Sequence, residues 1–206
     1  MKHPRLGQKV RPGRPLGFDR DAALYQAMLL FWTYGYEGSS VSDLTRAMGI
    51  TPPSLYTAFG DKKMLFFEAV QLYLSGPITS ESIIDAASSA REAAEGLLRA
   101  AALGYTQAST PAGCLLATSA ISCSPAAEDV RMALATIRKG TEKRLLKKIV
   151  KDPSMRAMTA KTTPRALAAH VMTVIQGMST MARDGATRQR LLDVAAVAML
   201  AWPASD

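Results

Sequence analysis

Two adjacent prolines, Pro52 and Pro53, stand within the stretch GITPPSLYTAFGDKKML (residues 49–65), where a helix is about to begin. Proline breaks a helix interior, but the amides of the first turn have no partner inside the helix, so prolines fit there. Thr51 directly before them is a natural N-cap. The stretch therefore predicts a helix that begins after Thr51. The alternative is a plain loop, since Pro53 disfavours a helical conformation at the residue before it.

A second short helix is predicted over residues 40–48, with Ser39 or Ser40 as its cap. Its apolar residues recur at helical spacing: Val41, Leu44 and Met48. Gly49 can supply the positive φ that ends this helix. Two short helices joined by a tight glycine turn are typical of a helix-turn-helix unit, whose second helix enters the DNA major groove.

The helix after Thr51 has two faces of different chemistry. Leu55 and Phe59 are four residues apart and are predicted to face inward, which leaves Tyr56 outside. The alternative is that Tyr56 is a core aromatic. Small polar residues at the start of the helix can hydrogen-bond phosphates or bases, and a helix N-terminus attracts phosphate. This pattern indicates a surface that contacts nucleic acid.

Helical patterns continue on both sides of this pair, and we expect an all-α fold of about nine helices. Asp19 and Gly35 bound a first helix, and Asp61 caps a fourth. The remaining predicted helices lie near 91–109, 113–122, 126–151, 164–183 and 187–201, with a weaker pattern over 78–90. Ala, Leu and Met dominate the apolar 48% of the chain, and alternating apolar–polar stretches are scarce, which favours helices over strands.

Three segments are predicted from the distribution of charge and proline. Residues 1–18 form a flexible basic arm, 19–75 a DNA-binding unit, and 76–206 a larger helical domain. The arm carries five basic residues and no acid: Lys2, Arg5, Lys9, Arg11 and Arg14. It is either a solvated tail or a segment that contacts DNA.

The net charge of +8 suits an anionic partner, either nucleic acid or a membrane surface. No apolar run marks a secretory signal, and the apolar stretches over 22–32 and 194–202 are too short to span a bilayer. Two cysteines without a CxxC motif fit a reducing cytoplasm. His170 is the only histidine beyond the arm, so we expect no metal site and no cofactor.

Residues 20–66 resemble the DNA-binding module of TetR/AcrR-type bacterial regulators. The resemblance is carried by Gly35-Tyr36, Ser39–Val41, Gly49-Ile50, Ser54–Tyr56, Phe59 and Lys62. It implies a ligand-responsive transcriptional regulator. In the usual case this is a repressor released from a palindromic operator when a small molecule binds its larger domain.

The second half of the chain resembles the same family. GCLL at 113–116 is similar to the opening of a helix in one branch of these regulators. Residues 175–200 resemble the closing helix pair, which in the family packs against the same pair of a second subunit. The resemblance therefore implies a homodimer formed through the helices near 164–183 and 187–201.

The resemblance also implies which residues contact double-stranded DNA. Tyr56 and Lys62 match phosphate contacts, whereas Pro53 and Ser42 match positions that reach bases. At Thr57 the family often has a larger polar residue, so fewer long side chains of this helix can reach the groove. We therefore expect the basic arm to contribute to DNA binding, with its arginines entering the minor groove. The full predicted set is Arg11, Arg14, Ser40, Ser42, Thr51, Pro52, Pro53, Ser54, Tyr56, Thr57 and Lys62.

A bundle of several helices can enclose a ligand. The candidate effector contacts are Phe67, Tyr73, Tyr105, Cys114, Met132 and Gln176, each of which has ordinary core packing as its alternative. Cys114 and Cys123 are candidate redox sensors, but no cation adjoins either in sequence, which favours inert buried thiols.

Three further interpretations remain open at this stage. Lysines at 139, 143, 147 and 151 form one helix face, which is either solvated or binds an anionic ligand or acidic partner. The chain could bind DNA or a membrane surface non-specifically through its charge. An enzyme with a helix-turn-helix appendage is the third, but GxxxxGK[ST], GxSxG, HExxH and GxGxxG are all absent, so we expect no enzyme.

Overall fold

A computed structural model describes residues 17–119, 124–155 and 162–202, and within these ranges the chain is helical without a strand. The helices are α1 (Arg20–Tyr34), α2 (Val41–Met48), α3 (Pro52–Phe59), α4 (Lys62–Leu74), α5 (Ser80–Ala86), α6 (Ala90–Gly104), α7 (Leu115–Thr118), α8 (Glu128–Lys151), α9 (Pro164–Arg183) and α10 (Arg188–Met199). A 3-10 helix over Pro125–Ala127 precedes α8. The all-α prediction is confirmed, with the short α5 as a tenth helix. In the described ranges none of the helices is both long and apolar enough to cross a membrane.

Local caps set the starts of the first four helices, as the sequence predicted. The Asp19 carboxylate accepts hydrogen bonds from the first-turn amides of α1, and Gly35 ends that helix with φ +76°. Ser40, rather than Ser39, caps α2. Ser39 is instead fully buried and donates its hydroxyl to the Gly35 carbonyl over 2.7 Å. The turn between α1 and α2 is therefore fixed by the hydrogen bond of Ser39 to the end of α1 and by the capping hydrogen bond of Ser40 at the start of α2.

The buried apolar residues form two clusters. The head cluster joins α1–α4 with α7 and the first half of α8. The body cluster joins α5, α6, the second half of α8, α9 and α10. Because α8 is a single helix of 24 residues, it contributes Val130 and Leu134 to the head cluster and Leu145 and Ile149 to the body cluster. The two clusters are thus joined by a continuous helix.

Two predicted helices are shorter in the structure. The helix predicted over 91–109 ends at Gly104, and only Leu115–Thr118 is helical among the described residues of 113–122. Between them, the Gly113 amide donates back to the Tyr105 carbonyl, and Gly113 adopts φ +83°. A Cβ at Gly113 would lie 2.8 Å from the Ser179 carbonyl oxygen on α9. Close packing on α9, which the sequence does not reveal, shapes this loop.

Candidate nucleic-acid interface

The helix α3 has one buried and one exposed face. Leu55 and Phe59 are 0% and 2% exposed and belong to the head cluster. Tyr56 is 51% exposed, and Pro53 and Thr57 are exposed with it. The loop and core-aromatic alternatives are therefore wrong: the segment is a helix, and its tyrosine faces outward. The head cluster holds this helix from behind and leaves its outer face free.

The first turn of α3 has no amide left for a ligand. Pro52 and Pro53 lack the hydrogen, and the Ser54 amide donates to the Thr51 hydroxyl over 3.4 Å. The next amide, that of Leu55, donates to the Thr51 carbonyl. The expectation that this helix N-terminus attracts phosphate is therefore corrected, since binding of that kind uses free first-turn amides. What α3 presents here is a small, flat and largely apolar surface.

The serine and threonine hydroxyl groups of α3 and its N-cap are engaged locally. Thr57 donates its proton to the Pro53 carbonyl over 2.9 Å, and the Thr51 and Ser54 hydroxyl oxygens lie 2.9 Å apart. A hydroxyl that has donated its proton still has lone pairs that can accept. Thr57, which is exposed, can therefore accept a hydrogen bond from a partner.

The two candidates on α2 and its cap have different roles. Ser40 accepts from the Asp43 amide and donates to the Asp43 carboxylate over 2.5 Å. This hydrogen bond is the main cause of the lowered pKa of Asp43. Ser42 is exposed and free to reach outward. Arg46, whose side chain is 77% exposed, lies one turn later on the same face. The predicted set of DNA contacts lacks Arg46. Its spacing of four residues from Ser42 is the sequence signal that could have identified it.

Lys62 lies at the start of α4, where its ammonium sits 4.4 Å from the centre of the Tyr36 ring. Burial lowers the pKa of Lys62, and the Glu37 carboxylate opposes this effect. The Tyr36 ring itself packs on Phe66, with ring centres 5.1 Å apart. Lys62 is therefore a half-buried cation held at the edge of the head, which restricts where its charge can be presented.

Arg20 is a residue of this site that sequence reasoning missed. Its guanidinium donates to the Ala58 carbonyl at the end of α3 and pairs with Glu68 of α4 at 2.7 Å. It also lies 4.3 Å from the centre of the Phe59 ring. One side chain thus connects α1, α3 and α4 and fixes the C-terminal end of α3. Its partners lie 38 and 48 residues away, so no local pattern reveals it.

Three predicted effector contacts come together between the two clusters. Tyr73 donates its hydroxyl to the Cys114 sulfur over 3.5 Å. Tyr105 lies beside the same thiol, and burial raises the pKa of both Tyr73 and Tyr105 well above the ordinary range. Tyr73 and Cys114 pack on the head cluster, whereas Tyr105 packs on the body cluster. This Tyr–Cys–Tyr group is therefore a polar centre in an apolar junction.

The other candidates lie elsewhere. Phe67 packs beside Phe66 in the head, with ring centres 5.9 Å apart. Met132 is 48% exposed on α8, and the exposed Gln176 donates to the Met172 carbonyl of its own helix. The structure brings neither Met132 nor Gln176 into the Tyr–Cys–Tyr group. Arg11, Arg14 and Cys123 fall outside the described residues.

Comparisons with known proteins agree with this geometry. Residues 23–69 match the family described as bacterial regulatory proteins, tetR family. The chain is 32% identical to the HTH-type transcriptional repressor ComR of Escherichia coli (strain K12), over 95% of this chain and 94% of ComR. It is 30% identical to the repressor BdcR of the same organism, over 91% of this chain and 90% of BdcR.

A solved structure is similar over nearly the whole length. It is the TetR family transcriptional regulator CifR, a cysteine mutant complexed with 26bp double-strand operator DNA. The TM-score is 0.85 and the identity 41%, with 93% of this chain and 100% of that chain covered. The protein described here therefore belongs to the tetR family of bacterial regulatory proteins.

Proposed function

We propose that the protein is a homodimeric transcriptional repressor, without enzymatic activity, that acts on DNA in the bacterial cytoplasm. Two copies of α3 enter successive major grooves of a pseudo-palindromic operator, and a small molecule releases them. The observation that carries this proposal is that Pro53, Tyr56 and Thr57 form an exposed face of α3. The opposite face is packed into the head cluster through Leu55 and Phe59. The repressor names of ComR and BdcR and the DNA complex of CifR support it.

The composition of this face favours particular base contacts. The apolar surface of Pro52 and Pro53 suits the methyl group of thymine. Thr57 has donated its proton, so its oxygen suits the amino groups of adenine or cytosine. Ser42 and Arg46 on α2 extend the surface, and Arg11 and Arg14 of the arm are proposed minor-groove contacts. Ser40, Thr51 and Ser54 support the surface as caps and first-turn residues.

Tyr56 and Lys62 are proposed to contact phosphates, which fix register without reading sequence. Replacing Tyr56 by Phe removes only the exposed hydroxyl. We expect Tyr56→Phe to weaken binding by about ten- to a hundredfold, the effect of one hydrogen bond to a charged group. The loss should be similar for duplexes that differ in sequence, measured by titration against a duplex selected by the unmodified chain and its single-base variants.

The control is Tyr34→Phe. Tyr34 is 63% exposed and is the last residue of α1, whereas the contact of α1 with α3 is made by Arg20 at the start of that helix. This variant should bind as the unmodified chain does. A loss with Tyr56→Phe that is confined to one base position would show that Tyr56 reads a base, and the phosphate assignment would then be wrong.

Dimerisation is proposed through α9 and α10. Both helices leave a row of residues exposed in the single chain: Thr173, Gln176, Gly177 and Thr180 on α9, and Ala196 and Val197 on α10 with its C-cap Leu200. Val197 is 66% and Leu200 81% exposed, which is costly for large apolar side chains unless a partner covers them. The short side chains on α9 allow close approach of a second helix.

The effector is proposed to bind at the Tyr–Cys–Tyr group of Tyr73, Cys114 and Tyr105. This group lies in the junction between head and body clusters, so a molecule there contacts both. Such a ligand lowers DNA affinity when it binds the DNA-incompetent arrangement better. On the basis of the motif Gly113–Leu116, which contains Cys114, we also propose that the protein belongs to the GCLL branch of the family. Met132 and Gln176 lie outside this group, so the structure gives no support for them as effector contacts.

A further inference from the structure

Arg183 at the end of α9 reaches across from the body to the head. Its guanidinium donates to the backbone carbonyls of Trp32 over 3.4 Å and of Thr33 over 3.1 Å, both in the last turn of α1. It also donates to the Thr118 hydroxyl of α7 over 3.1 Å. A single side chain of the closing helix pair therefore bonds the first helix of the head and the helix that follows the Gly113 loop.

The end of α1 needs such a partner. The last carbonyls of a helix have no amide to accept from within the helix, and they favour a nearby positive charge. The last turn of α1 contains no basic residue. Arg183 supplies the missing charge from a position 150 and 151 residues later in the chain. The carbonyl groups at the end of α1, in the head, thus accept hydrogen bonds from a side chain of α9, in the body.

A cavity of about 230 Å³, partly open to solvent, lies between the α1–α2 turn and α7, and Arg183 forms part of its wall. The head's turn contributes Tyr34–Gly38 to this cavity, and α7 and its C-cap contribute Thr118 and Ser119. The hydrogen bonds of Arg183 cross at the edge of this cavity and join the last turn of α1 and Thr118 to α9.

Two further hydrogen bonds connect the same elements. The Trp32 indole donates to the Gly113 carbonyl over 3.1 Å in a buried position. The Cys114 amide donates to the Ser179 hydroxyl of α9 over 2.9 Å. Together with Arg183, these bonds link the end of α1, the start of α7 and the end of α9 in a closed ring.

We propose that Arg183 is a positioning residue that sets the angle of the DNA-binding head against α9. This inference rests on the proposed homodimer, in which α9 lies against its copy in the partner. The distance between the two α3 helices then depends on the Arg183 bonds to α1. A dimer reads two half-sites at a fixed spacing, so Arg183 acts on spacing discrimination and touches no DNA.

The experiment compares the full-length unmodified chain with Arg183→Ala, using a duplex selected by the unmodified chain from random DNA. The same half-sites are also presented with one and two base pairs inserted between them. Arg183→Ala should lose about five- to tenfold in affinity at the selected spacing, in the range of ordinary coupling between sites. It should lose much less at the altered spacings, so the preference for one spacing becomes weaker.

Two variants separate positioning from charge. Arg99→Ala removes one positive charge from an exposed position on α6 and should leave affinity and spacing preference unchanged. Arg183→Lys keeps the charge without the planar fork, so it should restore only part of the preference. If thermal melting shows that Arg183→Ala does not fold, Arg183→Gln takes its place with the same expectation.

Two results would overturn the inference about Arg183. If Arg183→Ala keeps the spacing preference of Arg99→Ala, or loses affinity equally for every spacing and for random DNA, Arg183 does not position the head. If the unmodified chain selects no DNA, the proposed function fails and this inference with it. Selection by the unmodified chain, followed by an unchanged Arg183→Ala, overturns the inference alone.

Discussion

Arg20 shows how a single side chain can determine where the recognition surface lies. Its guanidinium is about one-third exposed, yet it connects the Ala58 carbonyl, the Glu68 carboxylate and the Phe59 ring. Each of these groups belongs to α3 or α4, whereas Arg20 begins α1. The position of α3 in the head therefore depends on a polar contact as well as on Leu55 and Phe59.

Replacing Arg20 by Met keeps the length and apolar stem of the side chain and removes its charge and donors. We expect Arg20→Met to lower the free energy of unfolding by about 1–2 kcal/mol, since partial exposure reduces the value of the ion pair. Urea denaturation measures this change. Arg99→Met, at an exposed position on α6, is the matched control and should change little. Equal stability of Arg20→Met and the control would contradict the role given to Arg20.

At this scale, the sequence predicted residues whose partners are near in the chain. The caps Asp19, Thr51 and Asp61 and the inward pair Leu55 and Phe59 follow from spacing and propensity. The sequence did not predict Arg20 or Arg183, because their partners lie 38 to 151 residues away. Such contacts exist only once the helices have packed.

Asp152 illustrates how one element holds the end of another. It follows the last residue of α8, and its carboxylate accepts from the Ala90 amide at the start of α6 over 2.6 Å. Burial opposes ionisation of Asp152, but the hydrogen bonds from Ala90 and Ser154 outweigh it. The pKa of Asp152 therefore lies below its ordinary value. The first turn of α6 is thus paired with a charge from the residue that directly follows α8.

A carboxyl whose pKa is lower in the folded than in the unfolded chain stabilises the fold at neutral pH. That stabilisation is full above the unfolded pKa of about 3.9 and is lost as the pH falls through the folded value. Asp152→Asn should therefore reduce stability at pH 7 and flatten its dependence on acid pH, measured by thermal melting across that range. Asp184→Asn, at an exposed position, is the control. An unchanged acid dependence in Asp152→Asn would contradict the linkage.

Helix ends were predictable where the signal is local and not where packing decides. The bounds 164–183 of α9 are confirmed, because Thr163 caps it before a proline and Arg183 ends it. The helix predicted over 91–109 runs too far, because the chain after Gly104 folds back so that Gly113 can pack on Ser179. No spacing in the sequence encodes that close approach.

At the scale of the whole molecule, the clusters of buried residues cross the predicted boundary at residue 75. Leu115 and Leu116 of α7 and Val130 and Leu134 of α8 pack with the head, although they lie far beyond that boundary in the chain. A molecule that binds at the Tyr–Cys–Tyr group therefore contacts elements of both clusters. This arrangement allows a ligand in the junction to alter the head directly.

The proposed dimer can be tested at two comparable glycines. Gly177 on α9 and Gly140 on α8 are both exposed, and a Cβ at either position would meet nothing within 4 Å in the single chain. We expect Gly177→Arg to be monomeric, because the added side chain enters the proposed interface. Gly140→Arg should remain a dimer, and analytical ultracentrifugation distinguishes the two. A dimeric Gly177→Arg would exclude this face as the interface.

The central claim is that two recognition helices of one dimer read two half-sites. Hydroxyl-radical footprinting of the full-length protein on a duplex that it selects from random DNA tests this claim most directly. We predict two symmetric protected half-sites with centres about 10 base pairs, or one helical turn, apart, and much weaker binding to random duplexes at the same salt concentration. Protection without symmetry, or equal affinity for selected and random DNA, would contradict it and would instead indicate non-specific binding through the net charge of +8.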